Sequence, residues 1–216
     1  MNPDVAKKVA ERFSKYSLHT YPKGQILVFA DENPEHIFYL VRGRVREYDV
    51  SYRGDEVIVN VYKPAAFFPM SWAINRTPNH YFYKTETPVE IRFIPADDAL
   101  EFIKSNPDVM LDLLSRLYSG LDGLLGRIVH LMSGAAKSRI VYELIIECRR
   151  FGDKGLGNKY TLYTNEMDLA ARSGLSRETV SREIQKLKEA GLVHIEGKVL
   201  FVQDLPALED MLGGEI

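Results

Sequence analysis

The sequence predicts an α+β protein in three parts: an N-terminal β jelly roll over residues 1–106, a long helix over 107–133, and a C-terminal winged helix-turn-helix domain over 134–216. Three observations lead to this fold class. Apolar residues alternate with polar ones up to Pro95, and they recur at spacings of three and four after it. Near the C-terminus, two amphipathic helices around a glycine precede a hairpin.

Composition limits the function classes. The chain has 216 residues, of which 45% are hydrophobic, so it can form one large or two modest folded domains. A single cysteine, Cys148, excludes an intramolecular disulfide and a four-cysteine iron–sulfur cluster, and no His/Cys cluster has zinc spacing, so no metal site is predicted. The N-terminus lacks the apolar core of a signal peptide, and no apolar run approaches the ~20 residues that cross a bilayer. We therefore expect a cytoplasmic protein with no membrane partner.

The sequence pattern of the first part predicts short strands separated by turns. Six segments alternate in polarity and are rich in β-branched and aromatic residues, which is typical of half-buried strands. Gly, Pro, Asn and Asp separate them at short intervals. Many short strands at even spacing favour a sandwich or jelly roll. The predicted strands are Ile26–Ala30, His36–Val41, Arg44–Val50, Glu56–Tyr62, His80–Glu86 and Val89–Ile94.

A coiled-coil seam follows the strands. From Met110 to Leu131, apolar residues recur at alternating spacings of four and three, which predicts pairing with a second copy of the helix. An amphipathic helix lying on the β domain is the alternative. Gly120, Gly123 and Gly126 each cost this helix about 1 kcal/mol relative to Ala, which indicates a close helix approach or a soft segment. The predicted dimer-interface residues are Leu114, Leu117, Leu121, Leu124 and Ile128.

The third part contains the helix-turn-helix. After an amphipathic helix over 135–151 and a short strand over 159–164, two helices flank a tight turn. Thr164 is the predicted N-cap of the first and Ser176 that of the second. Gly174 stands where the turn requires a left-handed residue. The segment beyond Gly191 reads as a hairpin that turns at Glu196-Gly197-Lys198, and this hairpin would be a wing.

The second of these helices has two contrasting faces. Val180, Ile184 and Leu187 form an apolar face that would dock it, and the opposite face presents guanidinium, carboxylate, hydroxyl and amide groups. An Arg fork can pair with O6 and N7 of guanine, and a Glu can accept from N4 of cytosine, so this set suits the major groove of double-stranded DNA. The predicted DNA-binding residues are Ser176, Arg177, Glu178, Ser181, Arg182, Gln185, Lys186 and, in the wing, Lys198.

The basic charge that such a surface needs is local. The net charge of the chain is -2, and residues 134–216 hold 12 Lys and Arg against 13 Asp and Glu. A DNA-binding protein of this composition must concentrate its cations at the reading face. Five basic residues are predicted to do so: Arg172, Arg177, Arg182, Lys186 and Lys198.

This order of parts resembles the cyclic-AMP receptor protein and fumarate–nitrate regulator (CRP/FNR) superfamily of bacterial transcription regulators. The resemblance covers nearly the whole chain, and "SRETVSR" (Ser176–Arg182), the following "EGKVLFV" and "YPKGQILVFADENPEHIFYLVRGRVREY" (Tyr21–Tyr48) carry it most specifically. It implies a homodimer that reads an inverted repeat in double-stranded DNA, with RNA polymerase as a candidate partner. It further implies that residues 1–106 form an effector-sensing, cyclic-nucleotide-binding-like domain. The positions that contact bases in the family match Arg177, Glu178, Arg182 and, in the fumarate–nitrate branch, Ser181.

The sensor domain departs from the cyclic-nucleotide pattern. Relatives that bind cyclic nucleotides carry a Gly-Glu pair and, further on, an Arg-Ser or Arg-Thr. Here an ungapped alignment on Phe67-Phe68 and Pro78 places Pro69-Met70 and Asn79-His80 at those positions. Arg76 is a nearby cation that a shifted loop could recruit. We therefore expect an unknown small-molecule effector other than cyclic AMP.

Aromatic residues dominate this part of the sensor domain. They are typical of a pocket for an apolar or aromatic effector, and equally of the core of a β domain. His80 could ligate haem, but a lone histidine on a strand is more often structural, so no cofactor is predicted. The candidate pocket residues are Phe68, Met70, Trp72, Asn79, His80 and Tyr81.

Two other function classes share parts of this pattern. A cupin enzyme needs a metal-binding cluster of histidines and a carboxylate, but the predicted strands contain only His36 and His80, far apart, so no catalytic residue is predicted. The second alternative is a ligand-free regulator, or an interaction module whose helix-turn-helix binds protein. Salt-dependent DNA affinity would distinguish a DNA-binding protein from that module.

Overall fold

The computed structural model describes residues 2–197 and 199–213, apart from the side chain of Ser133. It divides into two compact units, Met1–Tyr118 and Ser119–Ile216, and the division falls inside the long helix. Within the described residues, no helix is both long enough and apolar enough to span a bilayer.

The first unit is a β roll flanked by helices. Its helices are α1 (Pro3–Phe13), α2 (Met70–Asn75), α3 (Ala96–Lys104) and the first part of α4 (Pro107–Ser133). Its strands are β1 (Leu18–Tyr21), β2 (Ile26–Val28), β3 (His36–Arg42), β4 (Val45–Val50), β5 (Glu56–Tyr62), β6 (Phe67–Phe68), β7 (Phe82–Thr85) and β8 (Val89–Pro95). The six predicted strands are present, whereas β1, the two-residue β6, α2 and α3 were not predicted.

Two antiparallel sheets form the roll. One has the strand order β1-β8-β3-β6 and the other β2-β7-β4-β5. The ring of Phe68 bridges them, because it stacks on Phe38 of the first sheet at 5.4 Å and on Tyr83 of the second at 5.3 Å between ring centroids. Gly43, with φ of +89°, makes the tight turn from β3 to β4, where a Cβ would lie 2.8 Å from Oγ1 of Thr87. Only glycine fits there.

A second cluster of apolar side chains covers the outer face of the first sheet. Val9 and Phe13 of α1 and Phe102 of α3 pack there against Ile37 and Tyr39 of β3. Because side chains alternate across a strand, β3 serves both cores, with Phe38 and Leu40 facing the interior of the roll. The first sheet therefore separates two apolar clusters, one inside the roll and one beneath α1 and α3.

The second unit contains the helix-turn-helix. Besides the end of α4 it comprises α5 (Ala136–Phe151), α6 (Glu166–Ser173), α7 (Arg177–Glu189), α8 (Leu205–Asp210) and the strands β9 (Asp153–Lys154), β10 (Tyr160–Leu162), β11 (Val193–Glu196) and β12 (Val199–Val202). The strands form one sheet in the order β11-β12-β10-β9. The predicted α+β fold class is confirmed: a β roll, a long helix and a winged helix-turn-helix follow one another.

Candidate nucleic-acid interface

Side-chain caps fix the geometry of the helix-turn-helix. The side chain of Asn165 accepts a hydrogen bond from the backbone N–H of Asp168 at 3.0 Å and caps α6, so the prediction that Thr164 caps this helix is wrong by one residue. Ser176 caps α7 as predicted and accepts from the N–H of Thr179 at 3.2 Å. Gly174 has φ of +64°, the left-handed conformation that the turn requires.

Helix α7 docks through its predicted apolar face. Val180, Ile184 and Leu187 are almost fully buried against α5 and its neighbours, and Leu192 beyond the helix packs at the edge of the same core. Burial of each such side chain contributes roughly 1.5–3 kcal/mol. The opposite face of α7 is thereby held outward.

The outward face carries the predicted reading residues. Each of the seven that lie at the start or along the face of α7 is solvent-exposed: Ser176, Arg177, Glu178, Ser181, Arg182, Gln185 and Lys186. Lys198, the predicted wing residue, lies outside the described residues. The strands β11 and β12 on either side of it pair from Val193↔Val202 to Glu196↔Val199, which confirms the hairpin.

The two arginines that are predicted to read bases, Arg177 and Arg182, make different contacts. Nε of Arg177 lies 3.7 Å from Oε2 of Glu166, the first residue of α6. Arg182 is held within its own helix, where Nε donates to the backbone oxygen of Glu178 and Nη2 to Oγ1 of Thr179, both at 3.4 Å. The pKa of Glu178 is lowered, first by its own backbone N–H at the helix N-terminus and then by the Ser176 hydroxyl.

Arg172 does not belong to this surface, so its predicted place in the basic cluster is wrong. Its side chain is buried in the second unit and forms an ion pair with the equally buried Glu147 of α5. A buried charge needs a partner of opposite sign, and Glu147 supplies it. Arg127 of α4 pairs with Glu143, one turn earlier on α5, at 2.5 Å. Arg127 and Arg172 therefore link α4 and α6 to α5 within the second unit.

The candidate effector residues occupy three different environments. Phe68 is fully buried between the two sheets as part of the core. Met70 and Trp72 lie on the helix α2, not on a strand, and pack against the cluster formed with α1 and α3. The structure therefore does not bring these three together around one space.

The other three precede β7. The side-chain amide of the buried Asn79 donates to the backbone oxygens of Phe29 at 3.1 Å and Tyr81 at 2.8 Å, so it fixes a loop. His80 is exposed, with Nδ1 3.2 Å from the carboxylate of Asp31. Tyr81 is half-buried at the edge of the roll interior.

Sequence reasoning missed a buried acid inside the roll. Glu47 of β4 accepts hydrogen bonds from the hydroxyls of Tyr62 at 2.8 Å and Tyr83 at 3.0 Å. Burial raises the pKa of Glu47, while the two phenols act in the opposite direction. Because side chains alternate along a strand, Val45 and Glu47 lie on the same face of β4. In the sequence, this spacing was the one indication that Glu47 faces the interior.

The predicted seam of α4 is exposed. Its five interface residues are between 38% and 65% exposed, and Leu111, Leu125 and Val129 widen the apolar stripe.

Close packing explains one of the three glycines of α4, Gly126. The ring of Tyr142 from α5 lies against Gly126, and the hydroxyl of Tyr142 donates to the backbone oxygen of Gly123 at 2.7 Å.

Comparisons with known proteins agree with this architecture. Residues 18–106 match the family model of the cyclic nucleotide-binding domain, and residues 138–211 match that of the Crp-like helix-turn-helix domain. A global nitrogen regulator of Synechocystis is 26% identical over 210 residues, which cover 94% of this chain and 92% of the relative. The cAMP-activated global transcriptional regulator CRP of Haemophilus influenzae is 24% identical and covers 86% and 83% of the two chains.

Solved structures share the fold. A CRP/FNR-family transcriptional regulator from Thermus thermophilus superimposes with a TM-score of 0.74 at 22% identity, covering 91% of this chain and 98% of that one. The two matched domains stand in the order that the structure displays, on either side of the long helix. The chain belongs to the CRP/FNR superfamily of transcription regulators and carries its Crp-like helix-turn-helix DNA-binding domain.

Proposed function

We propose that the protein is a homodimeric, sequence-specific DNA-binding regulator that reads an inverted repeat. The observation that carries this proposal is the face of α7, where exposed Arg177, Glu178, Ser181, Arg182 and Gln185 stand opposite a fully docked apolar face. These side chains can discriminate base edges in the major groove. Lys186 and the wing Lys198 would contact phosphate, and Ser176 orients the start of the helix. No catalytic role is proposed.

The exposed stripe of α4 supports the dimer. It extends over a helix of 27 residues, about 40 Å long, with leucine and isoleucine at coiled-coil spacing. Exposed apolar area of this extent is typical of an interaction surface. A two-fold dimer would present two α7 helices to half-sites about one helical turn (~34 Å) apart. RNA polymerase would be a further partner of such a regulator.

The residues at the family's nucleotide positions do not fit a cyclic nucleotide. A buried cyclic phosphate needs a cationic fork, but Pro69, Met70, Asn79 and His80 supply no permanent cation. The amide of Asn79 is already bonded to the backbone, and Arg76 pairs with Asp97 at 2.6 Å on the surface. We therefore propose an effector other than cyclic AMP, or regulation without a small ligand.

The DNA proposal is tested by selecting duplexes from a random pool and then comparing Arg177→Ala with Lys198→Ala. Loss of Arg177 should cost roughly 1–3 kcal/mol on the selected duplex and relax preference at one base pair. Loss of Lys198 should weaken all duplexes about equally. If Arg177→Ala weakened selected and random duplexes alike, Arg177 would have no part in base reading.

The effector proposal is tested by calorimetric titration with cyclic AMP and cyclic GMP up to millimolar concentration. We expect no saturable heat, because the phosphate would have no cation to pair with. A dissociation constant near 1 μM, about -8 kcal/mol, would contradict the proposal. Titration of Arg76→Ala alongside would show whether that residue had been recruited.

A further inference from the structure

Glu166 stands at the contact between the two helices of the helix-turn-helix. It is the first residue of α6, and its carboxylate lies 3.7 Å from Nε of Arg177, the first residue of α7. Its side chain is 29% exposed, whereas that of Arg177 is 67% exposed. The carboxylate is therefore the more fixed partner, and the guanidinium is the group that it holds.

The electrostatics of the two helix ends reinforce this arrangement. A carboxylate is favoured at a helix N-terminus and a cation is disfavoured there, because the N–H groups of the first turn carry partial positive charge. Glu166 occupies the favourable end of α6, while Arg177 occupies the unfavourable end of α7. The carboxylate from the neighbouring helix compensates for that unfavourable position.

The atoms involved decide what Arg177 can still do. Because Glu166 engages Nε, both terminal nitrogens of the guanidinium stay available, and these are the atoms that pair with O6 and N7 of a guanine. Among the described residues, no carboxylate lies within ion-pair distance of Arg182, which contacts the backbone oxygen of Glu178 and the hydroxyl of Thr179. The carboxylate of Glu178, on the same helix, interacts electrostatically with both Arg177 and Arg182. Within the described part of the chain, Arg177 is therefore the one of these two arginines that forms an ion pair with another helix.

We propose that Glu166 is a positioning residue that fixes the guanidinium of Arg177 for reading one base pair, at the cost of general affinity for DNA. This inference rests on the proposed function. If the guanidinium is already held in place before binding, less side-chain conformational entropy is lost when the protein binds DNA. The same carboxylate repels phosphate groups, so it weakens binding to every sequence.

The experiment measures binding of the selected duplex, its single-base variants and random DNA. In Glu166→Gln, the ratio of affinities for the selected duplex and its variant at the base pair read by Arg177 should fall about two- to fivefold, which corresponds to the energy of an exposed ion pair. Binding to random DNA should become stronger. Glu166→Asp, which retains the carboxylate, should recover part of the preference. Glu196→Gln is the matched control, since this exposed wing carboxylate contacts His194 and its loss changes the net charge equally. It should strengthen all binding without changing preference.

Double-mutant comparisons locate the effect. In an Arg177→Ala background, Glu166→Gln should cause no further change in base preference, although it should still strengthen binding to random DNA. In Arg182→Ala it should retain its full effect on preference. Thermal melting of each variant reports the separate effect on helix stability. If Arg177→Ala relaxes one base pair and Glu166→Gln leaves that preference unchanged, the role of Glu166 is refuted while the DNA proposal stands. If the pool yields no preferred duplex, both are refuted.

Discussion

At the scale of the residue, the buried acids of this protein differ in how their charge is compensated. Glu143 and Glu147 of α5 pair with Arg127 and Arg172. Among the described residues, Glu47 makes its hydrogen bonds only to the phenols Tyr62 and Tyr83 and has no cation partner. Burial therefore raises the pKa of Glu47, and folding favours its protonated form.

This difference predicts a pH dependence of stability. Because the pKa of Glu47 is higher in the folded state, its stabilising contribution is fully present below the unfolded value, about 4.3, and is lost as pH rises through the folded pKa. Glu47→Gln, which cannot ionise, should melt at a higher temperature than the wild type at pH 8, and its advantage should shrink towards pH 4. An advantage that did not change with pH would contradict this assignment.

The sequence could separate the exposed face of α7 from its docked face, but it could not show which side chains pair with residues of the neighbouring helices. Helical spacing suffices to separate Val180 and Ile184 from Arg177 and Arg182. It cannot place Arg172 or Glu166, because their partners Glu147 and Arg177 lie on other helices, and only tertiary packing brings those side chains within reach. Arg172 was therefore assigned to the wrong surface.

At the scale of the element, periodicity predicted six strands of the roll and the long helix, but it missed β1, β6, α2 and the nine-residue α3. Six strands, α4 and α7 each repeat a pattern over several residues, which makes the pattern readable. Helix α2 has only six residues and β6 only two, so neither completes enough periods to be recognised. Trp72, one of the candidate pocket residues, therefore lies on a helix that the sequence pattern did not reveal.

The glycines of α4 give a prediction at this scale. In Gly126→Ala, the new Cβ would lie 2.8 Å from Cζ of Tyr142, so the ring must shift and the melting temperature should fall despite the gain in helix propensity. Gly123→Ala is the matched control, because its Cβ meets nothing within 4 Å, and it should gain up to about 1 kcal/mol. Equal effects of the two changes on thermal unfolding would contradict the packing role of Gly126.

At the scale of the whole molecule, the order of the parts was predictable because each part has its own period and its own turn residues. A period of two, a heptad seam and a capped helix pair follow one another without overlap. The interior of the roll was not predictable in the same way. Its closure by Phe68 between Phe38 and Tyr83 depends on contacts between strands that are distant in the chain.

The assembly gives the last prediction. Replacing Leu117 and Leu124 together by Asp would place like charges along the proposed two-fold interface of α4, where their burial is strongly unfavourable. The dissociation constant of the dimer, measured by analytical ultracentrifugation, should rise more than about 100-fold. Ser119→Asp is the control, since helical spacing places Ser119 on the face of α4 opposite Leu117 and Leu124 and it is exposed. If the doubly substituted leucine variant sedimented as a dimer like this control, the stripe would not be the interface, and two α7 helices would have to be paired by another surface.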